Sequence, residues 1–172
     1  MNKATSFPVW ETSEIGCMAP EAERTFQIRA ATAEDDAAWA RLRTELWPHC
    51  SVERHAVERE IYLRSPGIVA LAVAPDGPAF GFAEVSIRRD HVTGTSTPEV
   101  PFLEGWYVSS AWRQAGVGRA LIRFVADWAL DQGFQELGSD VEWENTASQD
   151  AHLKLGFVET ERSINYLLRL AN

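Results

Sequence analysis

The run Trp106-Tyr107-Val108-Ser109-Ser110-Ala111-Trp112-Arg113-Gln114-Ala115-Gly116-Val117-Gly118-Arg119-Ala120-Leu121 constrains the fold more than any other stretch of this chain. It reads as a strand, a short turn, a glycine-containing loop and a helix. Arg113-x-x-Gly116-x-Gly118 opens that helix. The first helical turn has free backbone N–H groups and the positive end of the dipole, so it can hold an anion. Gly116 and Gly118 lack Cβ atoms, which lets a phosphate approach the backbone closely. Arg113, Arg119 and Arg123 are expected to bring guanidinium groups to the same end. The loop is therefore read as a pyrophosphate cradle. No Gly-Lys-Ser/Thr follows it, so it is not a Walker loop, and the dinucleotide fingerprint would need three glycines.

A chain of 172 residues suits one domain around one core. The formal net charge of −9 argues against nucleic acid and suits a cationic partner. The longest apolar run, Ile68 to Ala74, is far too short to span a bilayer. No basic start precedes an apolar core, so no secretory signal is expected and the chain is read as cytoplasmic. Cys17 and Cys50 have neither metal-ligand spacing nor a disulfide framework, so no metal is expected.

Residues 1–24 show no periodicity and are read as a poorly ordered extension outside the core, with Met18 as an alternative start. The domain then spans 25–172. Thr25 to Ala30 alternates as a strand, and Thr32 with Asp35 approximates a capping box. Trp39, Leu42, Arg43, Leu46 and Trp47 follow helical spacing up to Pro48. Ser51 can cap a second helix with Val57, Ile61 and Tyr62 as its stripe, broken at Ser65-Pro66-Gly67. Ile68–Ala74 and Ala79–Arg88 form a hairpin around Pro75-Asp76-Gly77-Pro78. A polar connection, Asp90 to Pro98, leads to the strand Phe102–Val108, on which alternation puts Phe102, Glu104, Trp106 and Val108 on one face. The helix after the cradle ends at Gly133 as a C-cap. Gln135–Asp140 is a strand, Asn145 or Thr146 starts a helix, and Phe157–Glu159 and Ile164–Leu170 are closing strands. A mixed sheet with helices on its faces is the architecture this order implies.

The element order, Arg113-x-x-Gly116-x-Gly118 after a central strand, and Asn145 followed by Leu153-x-Leu155-Gly156-Phe157 resemble the GNAT superfamily of acetyl-CoA-dependent N-acetyltransferases. Within it the chain resembles aminoglycoside 6'-N-acetyltransferases. The matching segments are Leu42-Arg43 to Leu46-Trp47, Val92-Thr93-Gly94-Thr95, Pro101 to Gly105, Ser139-Asp140 and Glu159-Thr160-Glu161. The resemblance implies the GNAT acyltransferase fold, a central mixed twisted α/β sheet with helices on both faces. It implies that acetyl-CoA lies along Trp106, Tyr107 and Val108, with its diphosphate held from Arg113 through Gln114, Ala115, Gly116, Val117 and Gly118 to Arg119. It places Asn145 at a contact to the pantetheine arm. Carried over residue by residue, the aminoglycoside contacts are Trp47, His91, Glu104, Asp140 and Glu161. His91 stands where related enzymes have an aromatic residue such as Tyr. The resemblance also suggests a homodimer.

The chemistry implied is attack of a primary amine on a thioester. A lysine-like alkylamine has a pKa of roughly 10.4, so it arrives as ammonium and must lose a proton. Carboxylates bind that cation but raise its pKa, so a base or water relay is needed. Asp140 is the first candidate base and Glu104 the second, through water. His152 stands four residues before the glycine of Leu155-Gly156-Phe157, where many such enzymes carry Tyr. It can protonate the departing thiolate or order the cofactor. A backbone N–H near Val108 can polarise the thioester carbonyl. Bland readings stand beside these: Trp47 as core, His91 and Glu161 as surface, Asp140 as a turn cap, and Glu136, Glu142 and Glu144 as a solvated face. The leading reading is acetyl transfer from acetyl-CoA to the 6'-amine of an aminoglycoside, conferring resistance. The alternatives are a GNAT enzyme acting on a polyamine or protein amine, and an acetyl-CoA-binding module without turnover.

Overall fold

The computed structural model describes residues 25–75 and 77–169. The expected extension at 1–24, the alternative start at Met18 and the tip residue Asp76 lie outside the described residues. The strands are β1 (Gln27–Ala30), β2 (Gly67–Val73), β3 (Ala79–Arg88), β4 (Val100–Val108) and β5 (Gly138–Ser139). The helices are α1 (Asp36–Leu46), α2 (Val52–Arg64), α3 (Val117–Asp131) and α4 (Thr146–Lys154). The sheet runs β1-β2-β3-β4-β5, antiparallel except for the parallel β4/β5 pair.

Two apolar clusters lie on opposite faces of the sheet. One joins Ala70, Ala72, Ala83, Val85 and Leu103 to Val117, Leu121 and Val125 of α3. The other joins Leu71, Val73 and Phe82 to Trp39 and Leu42 of α1. Strand alternation sends neighbouring side chains to the two clusters, so β2 and β3 are covered on both faces.

The expected capping box forms before α1. Asp35 accepts from the Thr32 N–H at 2.8 Å and from the Thr32 hydroxyl at 3.0 Å. The Arg29 guanidinium grips the same carboxylate at 2.7 and 2.8 Å and, with Thr32, holds it well below the usual carboxylate range. Gly133 ends α3 in the left-handed region (φ 88°), as expected.

Three expectations fail. Val57 and Ile61 do not form the buried stripe of α2; both are 57% exposed. The inward face is His55, Glu58, Arg59 and Tyr62, which keeps helical spacing but in polar types. Glu58 and Arg59 reach across to Arg43 and Asp36 of α1 as ion pairs. The strand expected over Gln135–Asp140 shrinks to Gly138–Ser139. Phe157–Glu159 and the described part of Ile164–Leu170 pair with nothing: 157–169 contains no strand. The apolar pattern there suits an extended segment, but β5 is too short an edge to support it within this chain.

Candidate active site

β4 and β5 pair only at Phe102–Gly138 and Leu103–Ser139. Beyond Ser139 the strands part, so Glu104 to Val108 have no partner on that edge among the described residues. That open edge leads to the loop before α3. There Gln114 is the only described non-glycine residue with positive φ (65°), and Gly116 follows at φ 79°. A left-handed conformation costs an ordinary residue about 1–2 kcal/mol, and such strain gathers at ligand-holding loops. The turn sets the start of α3 directly after β4, at the loop where the sequence reading expects a cradle.

Within the chain itself the two glycines differ. A Cβ on Gly116 would meet no atom of the described chain within 4 Å, and its φ of 79° by itself favours glycine. A Cβ on Gly118 would stand 2.7 Å from Cζ2 of Trp106. Gly118 therefore lets α3 sit directly on the Trp106 ring. Gly118→Ala should push α3 off β4, at a cost of about 1–3 kcal/mol in stability. Acetyl-CoA affinity should weaken at least tenfold, as isothermal calorimetry would read. The arginines also differ from expectation. The Arg113 Nε donates to the Val108 carbonyl at 3.0 Å, so this side chain folds back on β4. Arg123 pairs with Asp127 one turn further along α3 at 3.7 Å, away from the cradle.

At the other side of the split, Asn145 caps α4 by accepting from the Ser148 N–H at 3.1 Å. Gly156, at φ 93°, closes that helix and turns Phe157 back onto His152, ring centres 4.9 Å apart. His152 is 9% exposed and stands edge-on to Trp106 at 5.5 Å. Its Nδ1 lies 2.8 Å from the Ser148 carbonyl and must donate to it. That tautomer leaves Nε2 to accept from the Ser139 hydroxyl at 3.0 Å. Leu155-Gly156-Phe157 is thus the device that packs His152 between β5 and the Trp106 strand.

The expected single face of Phe102, Glu104, Trp106 and Val108 is broken by a bulge. Glu84 pairs with Gly105 and Val85 with Leu103, which leaves Glu104 as the extra residue. Trp106 and Val108 therefore face α3, while Phe102 lies on the α1 face with Ser86 and Arg88. Glu104 points to that second face. Its Oε1 accepts from the Ser86 hydroxyl at 2.7 Å and the Arg88 Nε at 2.8 Å; its Oε2 accepts from Arg88 Nη2 at 2.6 Å.

Trp47, at the end of α1, covers the hole left by Gly105: its Cη2 lies 2.6 Å from where a Cβ would be. It also packs on Phe82 and under the Arg43 guanidinium at 4.7 Å. Beneath it Glu84, 1% exposed, accepts from Trp39 Nε1 at 2.9 Å and pairs with Arg43. Burial pushes the Glu84 carboxyl up, against the pull of Arg43 and Trp39. Sequence reasoning missed Glu84 and Arg88. The signal was there: Phe82, Glu84, Ser86 and Arg88 alternate on one face of an otherwise apolar strand.

Asp140 is exposed where β5 ends, and its charge acts on Arg88. His91 is exposed in the connection after β3, and Glu161 is exposed beyond α4. No side-chain contact of either with Glu104 or Asp140 is present among the described residues. The segments that carry them do meet, because Gly94 packs on Thr160, whose Cγ2 stands 2.3 Å from a would-be Cβ. Glu136 is not merely a solvated charge: it accepts from the Ser96 N–H and hydroxyl at 2.8 Å each and so ties the same connection down. Cys50, His55 and Glu58 bring ligand-type atoms within 4.8 Å of one another despite their unpromising spacing. Cys50 and His55 flank the start of α2, and both Glu58 oxygens are held by arginines, Arg43 and Arg54.

The comparisons match this geometry. The Acetyltransferase (GNAT) family model matches residues 29–157. The chain is 45% identical over 143 residues to aminoglycoside N(6')-acetyltransferase type 1 of Stenotrophomonas maltophilia, covering 83% of this chain and 93% of that one. The chain belongs to the GNAT acetyltransferases, among the aminoglycoside N(6')-acetyltransferases. The Salmonella typhimurium relative of the same name is 42% identical over 76% of this chain and 90% of its own length. Among solved structures, AAC(6')-Iy in complex with the bisubstrate analogue CoA-S-monomethyl-acetylneamine superposes with a TM-score of 0.79 at 40% identity, covering 85% of this chain and 99% of that one.

Proposed function

We infer that this chain transfers acetyl from acetyl-CoA directly to the 6'-amine of aminoglycosides in a ternary complex. The parting of β4 and β5 carries the reading. It opens a slot from the α3 cradle to the carboxylates, so that amine and thioester can be held together. The relative captured with a CoA–acetylneamine analogue supports the same pair of substrates. Acetyl-CoA lies along Trp106 to Val108, with its diphosphate over Gln114 to Arg119 and its pantetheine arm near Asn145. The free edge of β4 supplies the N–H that polarises the thioester carbonyl. Trp47 and Glu104 seat the drug, and His91 and Glu161 close the cleft from their joined segments. Asp140 takes the amine's proton. His152, with Nδ1 donating to the Ser148 carbonyl and Nε2 accepting from the Ser139 hydroxyl, orders the slot and the cofactor in it.

The reaction uses no metal and no covalent acyl-enzyme in this reading. The enzyme works as a cytoplasmic homodimer, and resistance is its consequence. Support for the dimer is the segment 157–169, where Val158, Ile164, Tyr166, Leu167 and Leu168 are 77–91% exposed. A second copy would cover them.

CoA release should be measured with aminoglycosides carrying an amine or a hydroxyl at the 6' position. Turnover of the amine forms alone is expected. Activity on polyamines or peptides without any aminoglycoside turnover would replace this acceptor by another. Acetyl-CoA binding without any turnover would make the chain a binding module.

A further inference from the structure

A cation already sits among the carboxylates assigned to the drug. Arg88 closes β3, and its guanidinium forms a two-pronged pair with Glu104 at 2.8 and 2.6 Å. Its Cζ lies over the Phe102 ring, 3.4 Å from the ring centre. With the Ser86 hydroxyl as a third donor, three of the roughly four lone-pair directions of the Glu104 carboxylate are used. The pair is only partly buried, with side-chain exposures of 32% and 25%. Its position at the bulge fixes the direction of the one lone pair left over.

We propose that Arg88 is a positioning residue of the acceptor site: it locks Glu104 in one plane and offsets one of the negative charges around the incoming amine. The proposal rests on the acetyl-transfer reading above.

The charges facing Arg88 come from several elements. Glu104 on β4, Asp140 after β5 and Asp90 after β3 all favour its cationic form. Tyr62 on α2 also feels it, together with Glu84 and Arg43 behind. Without Arg88, Glu104 and Asp140 would present two uncompensated charges to an ammonium. They would bind it tightly and raise its pKa, which opposes the proton loss that attack requires. With Arg88 present, the drug is held less tightly but gives up its proton more readily. Arg88 thereby exchanges affinity for reactivity, and it leaves Asp140 as the less encumbered base.

Steady-state kinetics of Arg88→Gln and Arg88→Lys across pH 6–9 test this, with acetyl-CoA binding as a check that the fold is intact. Arg88→Gln should raise the acid-limb pKa of kcat, which reports the bound amine, by about one unit, which is about tenfold in rate on that limb. Its KM for the amine substrate should fall while kcat falls, a split that a merely structural role does not produce. Arg88→Lys keeps the charge without the fork and should restore the acid limb while recovering only part of kcat. Wild-type turnover with an unshifted limb in Arg88→Gln, or with KM rising and the limb fixed, overturns the role of Arg88 and leaves the acetyl-transfer reading intact. A wild type that acetylates no aminoglycoside overturns both.

Discussion

Asp140→Asn should lower kcat for a 6'-amino aminoglycoside by about 100- to 10,000-fold while acetyl-CoA binding is unchanged. Two carboxylates stand near the amine's path, and the structure separates them. Glu104 accepts from Arg88 twice and from Ser86 once, so three of its lone-pair directions are already occupied. Asp140 sits exposed just after β5, where β4 and β5 part. Asn keeps the size and loses the basicity, so the loss reads proton transfer rather than packing. Initial rates of CoA release at saturating acetyl-CoA measure it. A loss smaller than threefold would move the base elsewhere.

The second large effect concerns stability. Arg43→Ala should destabilise the fold by about 3–5 kcal/mol, because it leaves the Glu84 carboxylate charged and unpaired in the core. For a chain of this length that is a fall in Tm of roughly 6–20 °C. The pH dependence has a definite sign. Burial raises the carboxyl of Glu84 in the folded state above its ordinary 4.5. The folded protein therefore binds that proton more tightly than the unfolded chain. Stability from this group falls as pH rises from 4.5 through the raised folded value, and it recovers on acidification. Arg43→Ala raises the folded value further, so acid should rescue the variant more than the wild type. Arg43→Met with Glu84→Gln removes the charge and keeps an acceptor for Trp39 Nε1, and should recover most of the loss. Thermal melts between pH 5 and 8 decide it; equal melting of all three proteins would show that Arg43 and Glu84 do not depend on each other.

The loop before α3 and the two ends of α4 were legible because their signals are local. The glycine at position 116 needs a left-handed angle, Asn145 caps a helix, and Gly156 turns a phenylalanine back; each works within a few residues of chain. The surroundings of Glu104 are built across elements. Nothing in the order of residues 102–108 announces that Glu104 is skipped in the pairing, because the skip depends on how β3 lies against β4. The inner face of α2 was hidden for a different reason. Its helical period is intact, but His55, Glu58 and Arg59 occupy positions where an apolar stripe was sought, and their ion pairs to α1 replace it. The closing strands failed because a strand needs a partner, and residues 157–169 have none among the described residues.

The one-residue skip at Glu104 has a consequence for how this enzyme can diversify. Up to Leu103 the two faces of β4 follow one alternation; beyond Glu104 they follow the opposite one. Trp106 and Val108 thereby pack toward α3, while Gly105, Tyr107 and their neighbours Ser86 and Arg88 lie on the other face. Under the proposed function, substitutions that change the drug spectrum would accumulate on that second face while the α3 face keeps acetyl-CoA. Deletion of Glu104 would remove the skip, leave Gly105 opposite Glu84 and keep both sides in place, losing only the carboxylate that Ser86 and Arg88 hold.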